Sequence, residues 1–272
     1  MTNGTSPATN DGAAAPKKTK ICVYCGASTG NKPEYIEAAR ALARAMAANN
    51  ISLVYGGGTV GLMGEVAKTL VSLSGPDSVH GIIPEALVRY ERDPTYRSKA
   101  LVNNGNGTNN KTTNGTSANG TATPDSSSKE TATAQQQQQE EHLPVPEEAV
   151  FGRTTIVKDM HTRKRLMAQE VIEGGPGSGF IALSGGYGTV EELFETATWN
   201  QLGIHNKGIV LLNINGFYDG LLQWIDKSVE EGFIHGKNKH ILVEAKTPEE
   251  AIQALRDYKV SEAVYKLSWG NQ

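Results

Sequence analysis

Cysteine is scarce in this chain: two thiols in 272 residues, Cys22 and Cys25, cannot build a disulfide framework, and no second pair completes a zinc site. Basic residues are not in excess either. The 26 Lys and Arg face 29 Asp and Glu, giving a net charge of −3 and a pI of about 6.1, so nothing points to nucleic-acid binding by bulk charge. No stretch approaches the roughly 18 consecutive apolar residues of a membrane span. The N-terminal segment lacks the apolar block of a secretion signal. A cytoplasmic setting is the simplest expectation, and there the Asn-x-Thr sequons at Asn3, Asn106, Asn110, Asn114 and Asn119 carry no glycan.

Hydrophobic residues make up only 38% of the chain, and the shortfall is concentrated in residues 1–19 and 101–147. The first stretch reads as a disordered tail. The second is rich in Asn, Gly, Thr and Ser, carries a run of glutamines at 135–139, and cannot bury enough apolar surface to offset the entropy of ordering it. It reads as a low-complexity loop inserted into a single domain over 20–258, with 259–272 as a C-terminal extension. Within that domain, apolar strand-like runs at 20–24, 52–55, 79–83, 180–183, 208–213 and 241–243 alternate with helical patterns at 33–49, 61–73, 155–173, 190–202, 218–231 and 248–257. Short strands that are apolar on both faces and alternate with helices imply an α/β fold: a doubly wound parallel sheet with helices on both faces. Such sheets bind ligands where strand ends turn into helices.

Three of those turns carry candidate chemistry. In CVYCGASTG, alternation along a strand sends Cys22 and Cys25 to opposite faces, so the pair reads as two packed thiols, and Gly26-Ala27-Ser28 serves as a tight or an anion-contacting turn. In YGGGTVGLMG, Gly56, Gly58 and Gly61 satisfy G-x-G-x-x-G after a strand, but no acidic residue closes the next strand. Backbone approach to a phosphate is therefore favoured over dinucleotide binding. In LSGGYGTVEE, Gly185, Gly186, Tyr187, Gly188 and Thr189 lead into a helix, and the backbone N–H groups there suit a phosphate. No Gly-Lys-Ser/Thr follows, so it is not a nucleoside triphosphate loop. Glu191 and Glu192 sit awkwardly beside a phosphate. Thr189-x-x-Glu192 fits a capping box, which leaves two readings of Glu192, a cap or a functional carboxylate.

VKDMHTRKRLMAQEVI reads as a helix whose apolar stripe is Ile156, Met160, Met167 and Val171. Arg163 and Lys164 flank that stripe while Arg165 faces out. Either both cations extend their heads to solvent or they meet an anionic ligand. His161 reads as a surface residue.

Taken together, ICVYCGAS, YGGGTVGLMG, DMHTRK at residues 159–164, GGYGTVEE at 185–192 and TWNQLGIHNKGIVLLN resemble the LOG (Lonely guy) family of cytokinin riboside 5′-monophosphate phosphoribohydrolases, long mislabelled as lysine decarboxylases. The resemblance covers about residues 20–100 and 148–257. Ser184 stands where the family motif has proline. The resemblance implies a Rossmann-like subunit in a homodimer, with the site near the interface, acting without cofactor or metal on N6-substituted AMP. By position it implies Arg163 and Glu192 as the catalytic pair, Gly185–Thr189 as the phosphate loop, and Glu91, Lys164 and Glu191 as further substrate contacts. Two other readings stand beside it: a general AMP nucleosidase, and a non-catalytic carrier of a nucleotide or of molybdenum cofactor. A pyridoxal-phosphate decarboxylase is disfavoured, since no lysine has a convincing context for that cofactor.

Overall fold

A computed structural model describes residues 17–92 and 145–269, with the side chains of residues 89–92 outside that description. Nearly the whole 101–147 insertion and most of the 1–19 tail therefore lie outside the described residues. By chain contacts there are two compact units. One is Met1–Glu85 with Pro146–Gln272, and the other is Ala86–Val145, described here only by the helical stretch through Arg92 and by Val145.

The first unit is built on a seven-stranded sheet. Its strands are β1 (Lys20–Tyr24), β2 (Ser52–Tyr55), β3 (Val79–Pro84), β4 (Arg153–Val157), β5 (Gly179–Ala182), β6 (Gly208–Leu212) and β7 (Leu242–Ala245). They lie in the order β4-β3-β2-β1-β5-β6-β7, and every neighbouring pair is parallel. The helices are α1 (Pro33–Ala48), α2 (Gly61–Ser74), α3 (Glu85–Arg92), the single turn α4 (Glu148–Phe151), α5 (Met160–Ile172), α6 (Tyr187–Gln201), α7 (Asp219–Glu230) and α8 (Pro248–Asp257).

Side-chain alternation along the strands feeds two cores. Ile21, Val23, Leu53, Ile181, Val210 and Leu212 join α1, α2 and α8 on one face. Cys22, Tyr24, Val54, Phe180, Ile209 and Leu211 join α5, α6 and α7 on the other. The expected doubly wound parallel sheet is what forms. Each fully buried side chain of this kind contributes about 1.5–3 kcal/mol by leaving water.

One element departs from the sequence reading. Residues 155–173 were expected to form one helix, but 153–157 is edge strand β4, paired His80 with Arg153 through Pro84 with Val157. The β-branched run Thr154, Thr155, Ile156 and Val157 favours a pleated strand. Asp159 then starts the helix, accepting from Thr162 N–H at 2.8 Å and from Thr162 Oγ1 at 2.9 Å. The buried stripe of α5 is Met167, Ala168 and Val171, whereas Ile156 and Met160 are partly exposed. Helices α3 and α4 were not foreseen. The C-terminal extension is tied down as far as Trp269: Tyr265 N–H reaches Gln201 O at 3.0 Å and Trp269 Nε1 reaches Leu202 O at 3.1 Å.

The far end of α5 is pinned to the sheet by charge. Lys20 Nζ donates to Glu170 at 2.7 Å, His80 Nδ1 bonds the same carboxylate, and His80 Nε2 lies 2.8 Å from Thr155 Oγ1. Burial pushes the Glu170 carboxyl up, but the hydrogen bonds from His80 and Lys20 outweigh it and hold the group at about 2 against an ordinary 4.5. A depressed carboxyl value stabilises the fold above the unfolded value, and that gain is lost as pH falls through the folded one. Glu170→Gln should therefore cost about 1 kcal/mol at pH 7, a figure kept small by solvent screening. In urea titrations the gap to wild type should close between pH 4.5 and 2. A gap that stays constant over that window would contradict the ionic pin.

Candidate active site

The sheet order reverses direction between β1 and β5, which sets the turns after these strands side by side at a topological switch point. They are locked together: Leu183 N–H donates to Tyr24 O at 2.9 Å and Gly26 N–H to Ser184 O at 3.0 Å. Gly185 completes the contact, because a Cβ there would fall 2.1 Å from Thr189 Oγ1 and 2.9 Å from Gly26 N. Gly186 and Gly188 are exposed, and a Cβ at either would meet nothing within 4 Å. The loop is thus closed toward the protein at Gly185 and open outward at Gly186 and Gly188.

Helix α6 starts at Tyr187 with Gly186 as its N-cap, and no side chain caps it. Thr189 lies inside the first turn, so the capping-box reading of Thr189 and Glu192 does not hold. The N–H groups of Tyr187, Gly188 and Thr189 find no acceptor among the described residues. The first N–H groups of a helix lack partners within it and carry partial positive charge, so this end can receive an anion.

The start of α2 differs. Leu62 N–H is taken by Gly26 O at 3.0 Å and Ser28 O at 3.3 Å, and Met63 N–H by Gly26 O at 3.4 Å. Gly61 adopts a left-handed φ of +61° and its missing Cβ would fall 2.3 Å from the Ala27 carbonyl carbon. These two donors are spent on the chain's own carbonyls, so Leu62 and Met63 do not offer their N–H groups to a phosphate.

Beside the open helix end, Arg163 Nη2 from α5 bonds Glu192 Oε1 from α6, and each side chain is only 12% exposed. They face a cavity of about 260 Å³ whose wall includes Tyr24, Cys25, Gly56 and Met63, with Gly186, Gly188 and Thr189 at one side. Burial raises the Glu192 carboxyl above its ordinary value, and the Arg163 charge offsets part of that rise. Arg163 Nε is buried with no hydrogen-bond partner among the described residues. A second cavity of about 270 Å³ shares Gly26 and Gly186 and is lined further by Ser28, Thr29, Gly185 and Phe217. The two spaces meet at the loop that presents the free N–H groups.

Of the other expected site residues, Lys164 bonds Glu191 at 2.7 Å and Glu195 at 3.0 Å, and neither Lys164 nor Glu191 lines the Arg163 cavity. Tyr187 is 99% exposed. The side chain of Glu91 lies outside the described residues. Sequence reasoning missed Tyr24, Cys25, Gly56 and Met63 as cavity wall; the first three stand at or just beyond strand ends, which could have signalled them, and Met63 stands in the first turn of α2. Burial pushes the Cys22 and Cys25 thiols up, so both stay protonated at neutral pH. Among the described residues no His, Cys, Asp and Glu group of three or more could hold a metal, and no helix is long and apolar enough to cross a membrane.

These features define a Rossmann-like α/β protein with a buried Arg–Glu pair beside an open helix N-terminus at the switch point. A family model described as "Possible lysine decarboxylase" matches residues 63–255. A cytokinin riboside 5′-monophosphate phosphoribohydrolase of Arabidopsis thaliana is 36% identical over 93% of this chain and 91% of its own length. A "Bifunctional cytokinin biosynthesis protein" of Fusarium pseudograminearum is 47% identical over 88% of this chain, which spans only 40% of that protein. Among solved structures, the molybdenum cofactor carrier protein of Chlamydomonas reinhardtii shares the fold at 14% identity, over 88% of this chain and 97% of that one, with a TM-score of 0.51. The chain belongs to the LOG family, the one its family model still describes as possible lysine decarboxylases.

The two kinds of glycine in the loop can be told apart by stability. Gly185→Ala should cost about 2 kcal/mol or more, because its Cβ collides with Thr189 and the neighbouring strand's turn. Gly188→Ala should leave the unfolding free energy from urea titration within about 0.5 kcal/mol of wild type, as exposed substitutions away from such contacts do. Equal losses at the two positions would contradict this division of the loop.

Proposed function

We propose that this chain hydrolyses the N-glycosidic bond of cytokinin riboside 5′-monophosphates, N6-substituted forms of AMP, to the free base and ribose 5-phosphate. The observation that carries the proposal is the buried Glu192 carboxylate, held by Arg163 in a cavity that opens beside the unpaired N–H groups of Tyr187, Gly188 and Thr189. The relatives named for this activity support it at 36% identity over most of both chains.

In this reading the 5′-phosphate docks on the Gly185–Thr189 loop, where backbone donors and the α6 dipole meet it. Anchoring this remote group orients the nucleotide and helps the reacting bond. As C1′–N9 lengthens, positive charge builds on the ribose, and an ionised Glu192 beside C1′ stabilises it. Water adds to C1′, giving up one proton while the departing purine gains one. Arg163 stays protonated and so is no base; it orients Glu192 and offers its remaining N–H groups to phosphate or ribose oxygens. Lys164 and Glu191, bonded to each other one position along from the catalytic residues, border the site, with Glu91 as a further substrate contact. The enzyme acts in the cytoplasm as a homodimer with the site near the interface, where a second copy would cover the fully exposed Tyr187.

Incubating the protein with AMP and with isopentenyl-AMP, without added metal, and resolving the bases by chromatography tests the substrate class. Release of the prenylated base alone is expected. Release of both bases would indicate a general AMP nucleosidase, and release of neither would favour a carrier. Glu192→Gln should lower kcat by at least about 10³-fold with the fold intact, and near-normal turnover would contradict its role. Because Glu192 works ionised and burial raises its carboxyl, kcat should fall on the acid side with a midpoint above 4.5. An acid limb below that value would contradict the assignment.

A further inference from the structure

We infer that Gly56, directly after β2, is a positioning residue: the lack of a side chain there leaves room for the Arg163 guanidinium that borders it. The inference rests on the proposed roles of Arg163 and Glu192 and adds to them the element that fixes their geometry.

Gly56 follows β2 directly and is buried. Its backbone does not need glycine, because, unlike Gly57 and Gly61, its φ is not in the left-handed range. What excludes a side chain is Arg163. A Cβ at position 56 would stand 3.3 Å from Nη1 and 3.7 Å from Cζ of that residue, with Met63 Sδ also at 3.7 Å. The first of these is closer than an ordinary carbon–nitrogen contact, so the guanidinium would have to give way.

It has little freedom to do so and keep its bond. Nη2 is committed to Glu192, and both side chains are largely buried. The helix carrying Arg163 is fixed at its start by the Asp159 cap and at its far end by Glu170, His80 and Lys20. A methyl group at position 56 therefore makes the guanidinium give by a few tenths of an ångström, and that shift falls on its bond to Glu192 rather than on the helix. The turn itself is rigid, because Leu62 and Met63 N–H groups tie it to the carbonyls of Gly26 and Ser28. Within a turn that sequence spacing reads as a phosphate loop, Gly56 holds the catalytic arginine at its working distance.

The charged groups facing Glu192 are Arg163, which holds its carboxyl down, Glu191, which raises it, and Lys164, which lowers it. Lys164 and Glu191 bond each other outside the cavity wall and should be unaffected by a methyl group at 56. Displacing Arg163 alone should thus move the Glu192 titration to higher pH.

The test is Gly56→Ala in the full chain, read in two ways. Carboxyl-carbon NMR titration of Glu192 should show its midpoint moved to higher pH, and kcat for isopentenyl-AMP should fall about tenfold or more. In an Arg163→Lys background, where no Nη1 is present, adding Gly56→Ala should leave the Glu192 midpoint unmoved. A Gly56→Ala protein with an unchanged Glu192 midpoint and raised KM would show that the methyl merely crowds the substrate, and would overturn the inference. If Gly56→Ala failed to fold, the Gly56→Ala/Arg163→Lys double variant should recover the fold; a double variant that also fails would show that the glycine serves the backbone. The titration needs no turnover, so a protein inactive on every nucleotide would refute the proposed hydrolase while leaving the seat of Arg163 separately tested.

Discussion

The site depends on keeping one carboxylate out of water without neutralising it. Burial drives Glu192 toward its protonated form, and the guanidinium of Arg163, with a smaller contribution from Lys164, stands against that drive. Removing one partner of such a buried pair leaves an uncompensated charge and costs about 3–5 kcal/mol. The two residues come from different helices, α5 and α6, on the same face of the sheet. Everything that fixes those helices therefore acts on the distance between them. That includes the Asp159 cap, the Glu170 pin and the glycine contact behind Arg163.

A second constraint is how backbone donors are shared out at the switch point. Two helices begin there, and their first N–H groups are used differently. The Leu62 and Met63 N–H groups at the start of α2 are used by carbonyls of the β1 turn, which ties the two together. Among the described residues nothing accepts from the Tyr187, Gly188 and Thr189 N–H groups at the start of α6, and the glycines at 186 and 188 leave the approach to them clear. Anion binding by a helix end requires both free donors and access, and this fold supplies the two together at one place. The buried carboxylate lies a little more than one turn along the same helix, which couples an anchoring group to a reacting group through one rigid element.

Much of this was legible in the sequence, and what was not has a physical reason. Short runs apolar on both faces, alternating with helical periods, specified a doubly wound parallel sheet, because only strands covered on both sides carry that pattern. Strand β4 escaped because it is an edge strand with mostly exposed or half-buried residues, and it runs into α5 with no glycine or proline between them. The Glu192 question turned on where α6 begins. A start at residue 190 would have left Thr189 free to cap; the observed start at Tyr187 places it in the first turn and frees the carboxylate for Arg163. The roles of the glycines in 56–61 were not legible at all. They are set by what approaches each Cα in three dimensions, from Arg163 at one and from the β1 turn at another. Sequence spacing alone reads both as a phosphate loop.

The account stands on one geometric statement: a nucleotide's phosphate lies on the N–H groups that begin α6 while its anomeric carbon faces the carboxyl of Glu192. A crystal structure of the Glu192→Gln variant with bound AMP measures both at once. The expected result has phosphate oxygens within hydrogen-bond distance of the Tyr187, Gly188 and Thr189 nitrogens and C1′ beside the substituted side chain at position 192. A phosphate bound elsewhere, or a C1′ turned away from position 192 with the side chain there bonded only to its own helix, would contradict it.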